Sequence, residues 1–125
     1  MGWHFILVFL GGGLGSVCRF GMSQLLVRYQ LNFPLATLLA NASACLLLGI
    51  LTGLALRDGV PGTHRHLWMI GFCGGFSTFS TFSNETWALL QSGQTGLALL
   101  NVAASLGVCL IAIWAGISLA RVAVS

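Results

Sequence analysis

Four long stretches of this chain are almost free of charge, and short polar runs separate them. They fall at about Trp3–Val27, Leu35–Leu56, Leu67–Leu90 and Leu97–Val122. Each has the roughly 20 residues that a helix needs to cross the hydrocarbon core of a bilayer. The breaks carry turn chemistry. Arg28–Pro34 ends on a proline suited to a helix's first turn, Arg57–His66 holds Pro61 between two glycines, and Gln91–Gly96 is polar and glycine-bearing. The pattern predicts an all-α protein with four membrane-spanning helices in a single domain covering residues 1–125.

The third stretch departs from a plain span. It reads Gly71–Phe–Cys–Gly–Gly–Phe–Ser–Thr–Phe–Ser–Thr–Phe–Ser83. Phe76, Phe79 and Phe82 recur every third residue, with Ser77, Ser80 and Ser83 in a second row and Thr78 and Thr81 in a third. On a helix such spacing makes adjacent slanting ridges. The glycines predict two half-helices joined across Gly74–Ser77. Backbone freed from helical bonding at membrane depth must line a cavity or meet a partner. Its carbonyls then suit a cation and its half-helix N-terminus an anion.

The other stretches hold isolated exceptions to the apolar rule. Gly11 with Gly15, and Gly49 with Gly53, are small residues at a spacing that lets helices approach closely. Arg19 lies deep enough to require protein or water around its charge, unless it snorkels. Asn41 must find hydrogen-bond partners, either on a neighbouring helix or along a polar path. Asn101, Ser105 and Cys109 recur every fourth residue on one face of the last helix, as a weakly polar stripe or as small packing residues.

Composition narrows the class. The 125 residues are 57% hydrophobic and 6% charged, with mean hydropathy +0.95, whereas soluble domains carry about 25% charged residues. This is the profile of an integral membrane protein with little outside the bilayer. The net charge of +3 is unclustered, which argues against nucleic acid as a partner. Cys18, Cys45, Cys73 and Cys109 lie singly in different stretches, so they read as small apolar fillers rather than a disulfide or zinc framework. His64 and His66 read as solvated loop residues. The N-terminus lacks the basic region and cleavage site of a signal peptide, and Ile6 breaks the myristoylation pattern.

Enzyme chemistry has no foothold. No histidine shares a stretch with the serines of the third segment, and no phosphate, dinucleotide or metal-ligand motif is present. A proton-coupled cation exporter needs an acid near mid-membrane, and only Glu85 is available. Hydroxyls, an amide and phenyl edges, which carry partial positive charge, instead suit a small anion. The arginines are too evenly divided to fix an orientation, which leaves the chain able to insert both ways; an antiparallel homodimer would then supply a symmetric partner for the glycine break.

Gly71 through Glu85 strongly resembles the signature of the Fluc (CrcB) fluoride channels. The likeness extends over nearly the whole chain, through Gly11–Arg19 and through Phe33–Pro34, Asn41 and Gly49. The resemblance implies a dual-topology homodimer in the cell inner (plasma) membrane. Its two pores would passively export cytoplasmic fluoride and so reduce fluoride toxicity. It implies Phe79 and Phe82 as pore phenylalanines and Asn41 as the pore amide, with hydroxyls from Ser80, Thr81 and Ser83. It places Arg19 and Glu85 near the vestibules. It puts a structural sodium ion at the dimer interface, on the backbone carbonyls of Gly74 and Ser77 from both subunits. It extends a polar track along Asn101, Ser105 and Cys109, where a thiol is a weaker donor than the serine common in relatives. Two other classes fit the span count: a small dual-topology multidrug exporter, disfavoured by the lack of an acid in the first helix, and a structural membrane subunit in which glycines and aromatics only pack.

Overall fold

The computed structural model describes residues 1–29 and 32–123, and among these every regular element is helical. Gln30 and Leu31 of the expected first loop lie outside the described residues. In chain order the elements are α1 (Gly2–Val27), α2 (Leu35–Asp58), α3 (Gly62–His64), a π-helical run π1 (Arg65–Cys73), α4 (Gly74–Phe76), α5 (Phe79–Gln91) and α6 (Thr95–Val122). Of these, α1, α2 and α6 are long and apolar enough to cross a membrane by themselves. The third stretch is divided among π1, α4 and α5.

Two close helix pairs organise the chain: α2 runs along α6, and α1 runs along π1 and α4. Both seams depend on missing side chains. A β-carbon at Gly11 would overlap the Leu67 carbonyl, one at Gly15 the Phe72 carbonyl, and one at Gly75 the Gly12 carbonyl. On the other seam Gly49 sits against Ile113, Gly53 against Ile117 and Ala120, and Gly116 against Leu46. In a medium as apolar as the side chains themselves, such backbone-to-backbone contact is a main source of helix association.

The turns follow their residues. Gly93, at φ 79°, ends α5 in a Schellman arrangement, with the Gln94 N–H donating to the Leu89 carbonyl at 2.8 Å and the Gly93 N–H to the Leu90 carbonyl at 3.2 Å. Gly59, at φ 77°, ends α2. The buried interior is thin. It consists largely of small residues (Ala40, Ala44, Ala98, Ala120 and the seam glycines) with Leu7, Cys73 and Leu89. The polar residues Asn101 and Ser105 are buried among them.

Candidate functional site

The interruption in the third stretch lies at Ser77 and Thr78, whose backbones are extended (φ −82°, ψ 157° and φ −152°, ψ 114°). Helical bonding stops there, and side chains from other helices take over. The Asn41 amide from α2 meets both backbone groups of Thr78. Its Nδ2 donates to the Thr78 carbonyl at 3.2 Å, and its Oδ1 accepts from the Thr78 N–H at 2.7 Å. Of the two readings of Asn41, the interhelical bond is the one seen within the chain. The amide has two hydrogens, and Thr78 takes one.

The Thr78 hydroxyl then caps α5. It accepts from the Thr81 N–H at 3.1 Å and donates to the Thr81 hydroxyl at 3.0 Å, with Ser80 Oγ 3.3 Å away. On the other side of the interruption Arg19 Nε donates to the Gly75 carbonyl at 3.1 Å, and Ser16 Oγ reaches the same oxygen at 3.5 Å. A cation thus meets the carbonyl end of the π1–α4 run, where the helix dipole favours it. Ser77 closes that run, its N–H and hydroxyl both donating to the Cys73 carbonyl at 3.1 and 2.9 Å.

These exchanges leave two carbonyls in a particular state. The helix-register donor for the Gly74 carbonyl is the Thr78 N–H, which is turned to Asn41. That for the Ser77 carbonyl is the Thr81 N–H, which is turned to the Thr78 hydroxyl. Both oxygens are therefore released by the chain's own hydrogen bonding. Oxygen donors of this kind suit a hard cation such as sodium.

The aromatic ridge divides at the interruption. Phe79 and Phe82 remain neighbours on α5, with centroids 5.6 Å apart and planes tilted by 44°. Phe76 instead joins Phe72 and Trp68 in an edge-to-face row along the π1–α4 run, at 5.6 and 5.7 Å. The three-ring ridge expected from spacing would need an unbroken helix.

Two cavities meet at Thr78. One, of about 280 Å³, is bounded by Asn41, Ser77, Phe79, Phe82, Ser105 and Cys109 among others. The other, of about 270 Å³, is bounded by Arg19, Thr37, Thr81 and Glu85 among others. Thr78 is in the wall of both. Glu85 accepts a hydrogen bond from the Thr37 hydroxyl. Ser80 and Ser83 are exposed on α5, and Phe79 is 79% exposed on the single chain. A larger depression, about 480 Å³, between α2 and the 59–68 region is almost entirely apolar and offers no cluster of donors.

Asn101 does not line either cavity. It is 2% exposed, and its Nδ2 donates to Thr86 Oγ1 at 2.9 Å. Thr86 in turn donates to the Phe82 carbonyl at 2.8 Å, and Ser105 donates to Asn101 Oδ1 at 3.4 Å. This chain of bonds holds α5 on α6 directly behind Phe82. Thr37, Thr78 and Thr86 were not singled out for these roles by the sequence. The signals for them were indirect: a hydroxyl three residues before Thr81, and buried polar groups at Asn101 and Glu85 in need of partners.

The family described as "CrcB-like protein, Camphor Resistance (CrcB)" matches residues 6–117 of this chain. A protein of Methylobacillus flagellatus is 41% identical over 122 residues, covering 95% of each chain. One of Pyrococcus abyssi is 43% identical over 117 residues, covering 93% of this chain and 94% of its own. One of Thermococcus kodakarensis is 44% identical over 113 residues, covering 90% and 91%. Each of the three bears the name fluoride-specific ion channel FluC.

Proposed function

This chain belongs to the CrcB-like family, and from that premise we propose that it is a fluoride-selective channel of the inner membrane, built as an antiparallel homodimer with two pores. It is a membrane protein and not an enzyme. The names of its relatives support the ion. The observation that carries the reading is the Phe79–Phe82 pair beside the Asn41-clamped interruption, on a largely apolar cavity into whose wall Asn41, Ser77, Thr78 and Ser105 are set.

Fluoride holds its hydration shell tightly, so a path through lipid must offer donors in place of water. Asn41, Ser80, Thr81 and Ser83 supply N–H and O–H groups, Ser105 stands in the wall with its O–H turned to Asn101, and Cys109 supplies a weaker S–H. Phe79 and Phe82 supply ring edges with partial positive charge. None of these is a full positive charge, so the ion is solvated without being trapped. Arg19 and Glu85 stand at the other cavity, as vestibule charges. Asn101 acts behind the wall, by fixing α5 through Thr86.

The nearly bare Phe79 ring favours a second copy completing the path. In the dimer the Gly74 and Ser77 carbonyls of both chains would hold the sodium ion. Its charge would offset the cost of an anion in a low-dielectric interior. Passive outward flow of cytoplasmic fluoride follows from a path that carries no coupling ion.

The test is fluoride efflux from proteoliposomes, followed with a fluoride electrode. Wild type should release fluoride and retain chloride, and equal leakage of both would overturn selectivity. Phe79→Ile should abolish the flux while the protein still purifies as a folded species. Undiminished flux in that variant would remove the ring edges from the mechanism.

A further inference from the structure

Cys45 and Cys109 look unrelated in sequence, one on α2 and one on α6, yet they share a cavity wall. Both line the cavity that holds Phe79 and Phe82. The two cysteines stand at matching levels of the α2–α6 seam, each one helical turn before the Gly49–Ile113 contact. Their placement follows from the seam itself. Gly49 lies four residues after Cys45 and is in backbone contact with Ile113, four residues after Cys109. One helical turn from the thiols, therefore, the two backbones are as close as glycine allows and cannot spread. Both thiols are part-exposed to the cavity, unlike the buried Cys73.

We propose that Cys45 and Cys109 form a two-thiol site for a soft, two-coordinate d10 cation of the mercuric, silver or cuprous class. The donor set selects this class. Thiolates favour soft ions. Among the described residues no third histidine, cysteine or carboxylate joins the pair to build a site for zinc or another ion of higher coordination number. Charge selects it again, because a low-dielectric wall favours a neutral complex. Mercuric ion forms two Hg–S bonds and displaces two protons to water, leaving no net charge. A monovalent ion reaches neutrality with one thiolate and one thiol, displacing one proton. No redox partner is required in either case.

An ion held there sits in the wall of the proposed fluoride path, one turn from Asn41 and Ser105, and narrows it. This second step rests on the channel reading, while the binding does not.

The test uses the purified full-length protein in detergent, with mercuric ion as the probe and a monothiol in excess as competitor. Wild type and Cys18→Ala should each retain one mercuric ion per chain. X-ray absorption at the mercury edge should show two sulfur neighbours in wild type. Cys45→Ala and Cys109→Ser should each lower the apparent affinity by at least about 100-fold, since each removes a direct ligand. One sulfur neighbour in wild type, or retention of the ion by either variant, would overturn the site. The X-ray measurement needs no variant, so it decides the matter even if a substitution prevents folding.

In proteoliposomes, mercuric ion should stop fluoride efflux through wild type and Cys18→Ala but not through Cys45→Ala, which lacks one of the two ligands. Full efflux with the ion bound would overturn the obstruction. Absence of fluoride efflux before any mercuric ion is added would instead count against the channel reading, leaving the two-sulfur result to stand or fall alone.

Discussion

One amide governs the local geometry of the interruption. Asn41 replaces, for the Thr78 N–H, the acceptor that a continuous helix would have provided, and adds a donor to the carbonyl that opens the α5 ladder. Replacing Asn41 by Leu leaves the Thr78 N–H unmet within the protein, at about 1–3 kcal/mol where water is excluded. Asn41→Leu should therefore lower the unfolding midpoint in detergent markedly, whereas Phe79→Ile, which removes a ring 79% exposed on the single chain, should lower it little. Comparing the two variants by thermal unfolding separates the clamp from the path. Residue by residue, the sequence showed which side chains were anomalous in lipid but not whom they met. Asn41 and Thr78 are far apart in the chain, and so are Arg19 and Gly75. Nothing local in either pair names the other. The Asn101–Thr86–Phe82 relay was hidden for the same reason, because a threonine inside a helix carries no mark of its acceptor.

At the scale of elements, the break in the third stretch was legible because three glycines and five hydroxyls do not suit an uninterrupted span. Its position was less so. The expected junction was Gly74–Ser77, but Gly74 and Gly75 stay helical and the extended residues are Ser77 and Thr78. The glycines serve a different end, since Gly75 gives the α4 backbone room against Gly12. Gly75→Ala should force α1 away from α4 and destabilise the protein by about 1–3 kcal/mol or more, the usual range for overpacking. Gly21→Ala meets nothing within 4 Å and should be neutral or slightly stabilising, because alanine is the better helix former by up to about 1 kcal/mol. Unfolding curves for the two variants test this; equal effects would contradict the seam. The π-helical pitch of Arg65–Cys73 had no counterpart in the hydrophobic pattern, which is blind to a change of one residue in the bonding register.

At the scale of the molecule, one chain buries little. Its largest fully buried side chain is the polar Asn101, and Phe79 is left bare at the side of the proposed path. A second copy is the simplest cover for that face. The proposal of opposite insertion makes a sharp prediction. Two lysines added to the 57–66 loop should bias every chain toward one orientation and abolish fluoride efflux. Co-production with a variant biased the other way, by lysines added to the 28–34 loop, should restore it. Efflux from the singly biased chain alone would rule out an antiparallel pore. Removal of the proposed interfacial cation gives an independent check. Exchange of sodium for a bulky organic cation on both membrane faces should reduce efflux, whereas unchanged efflux would leave the Gly74 and Ser77 carbonyls without that role.

The seam between α2 and α6 carries a mechanical consequence. Glycines at Gly49, Gly53 and Gly116 lock those helices into a single stiff plank, with no slack for sliding or parting. Asn41, Ser105, Cys45 and Cys109 all ride on that plank, so their mutual spacing is constant whatever ion passes. Any breathing of the conduit must come from the opposite board, the short helix that begins at Phe79 and is fastened by only a few polar bolts.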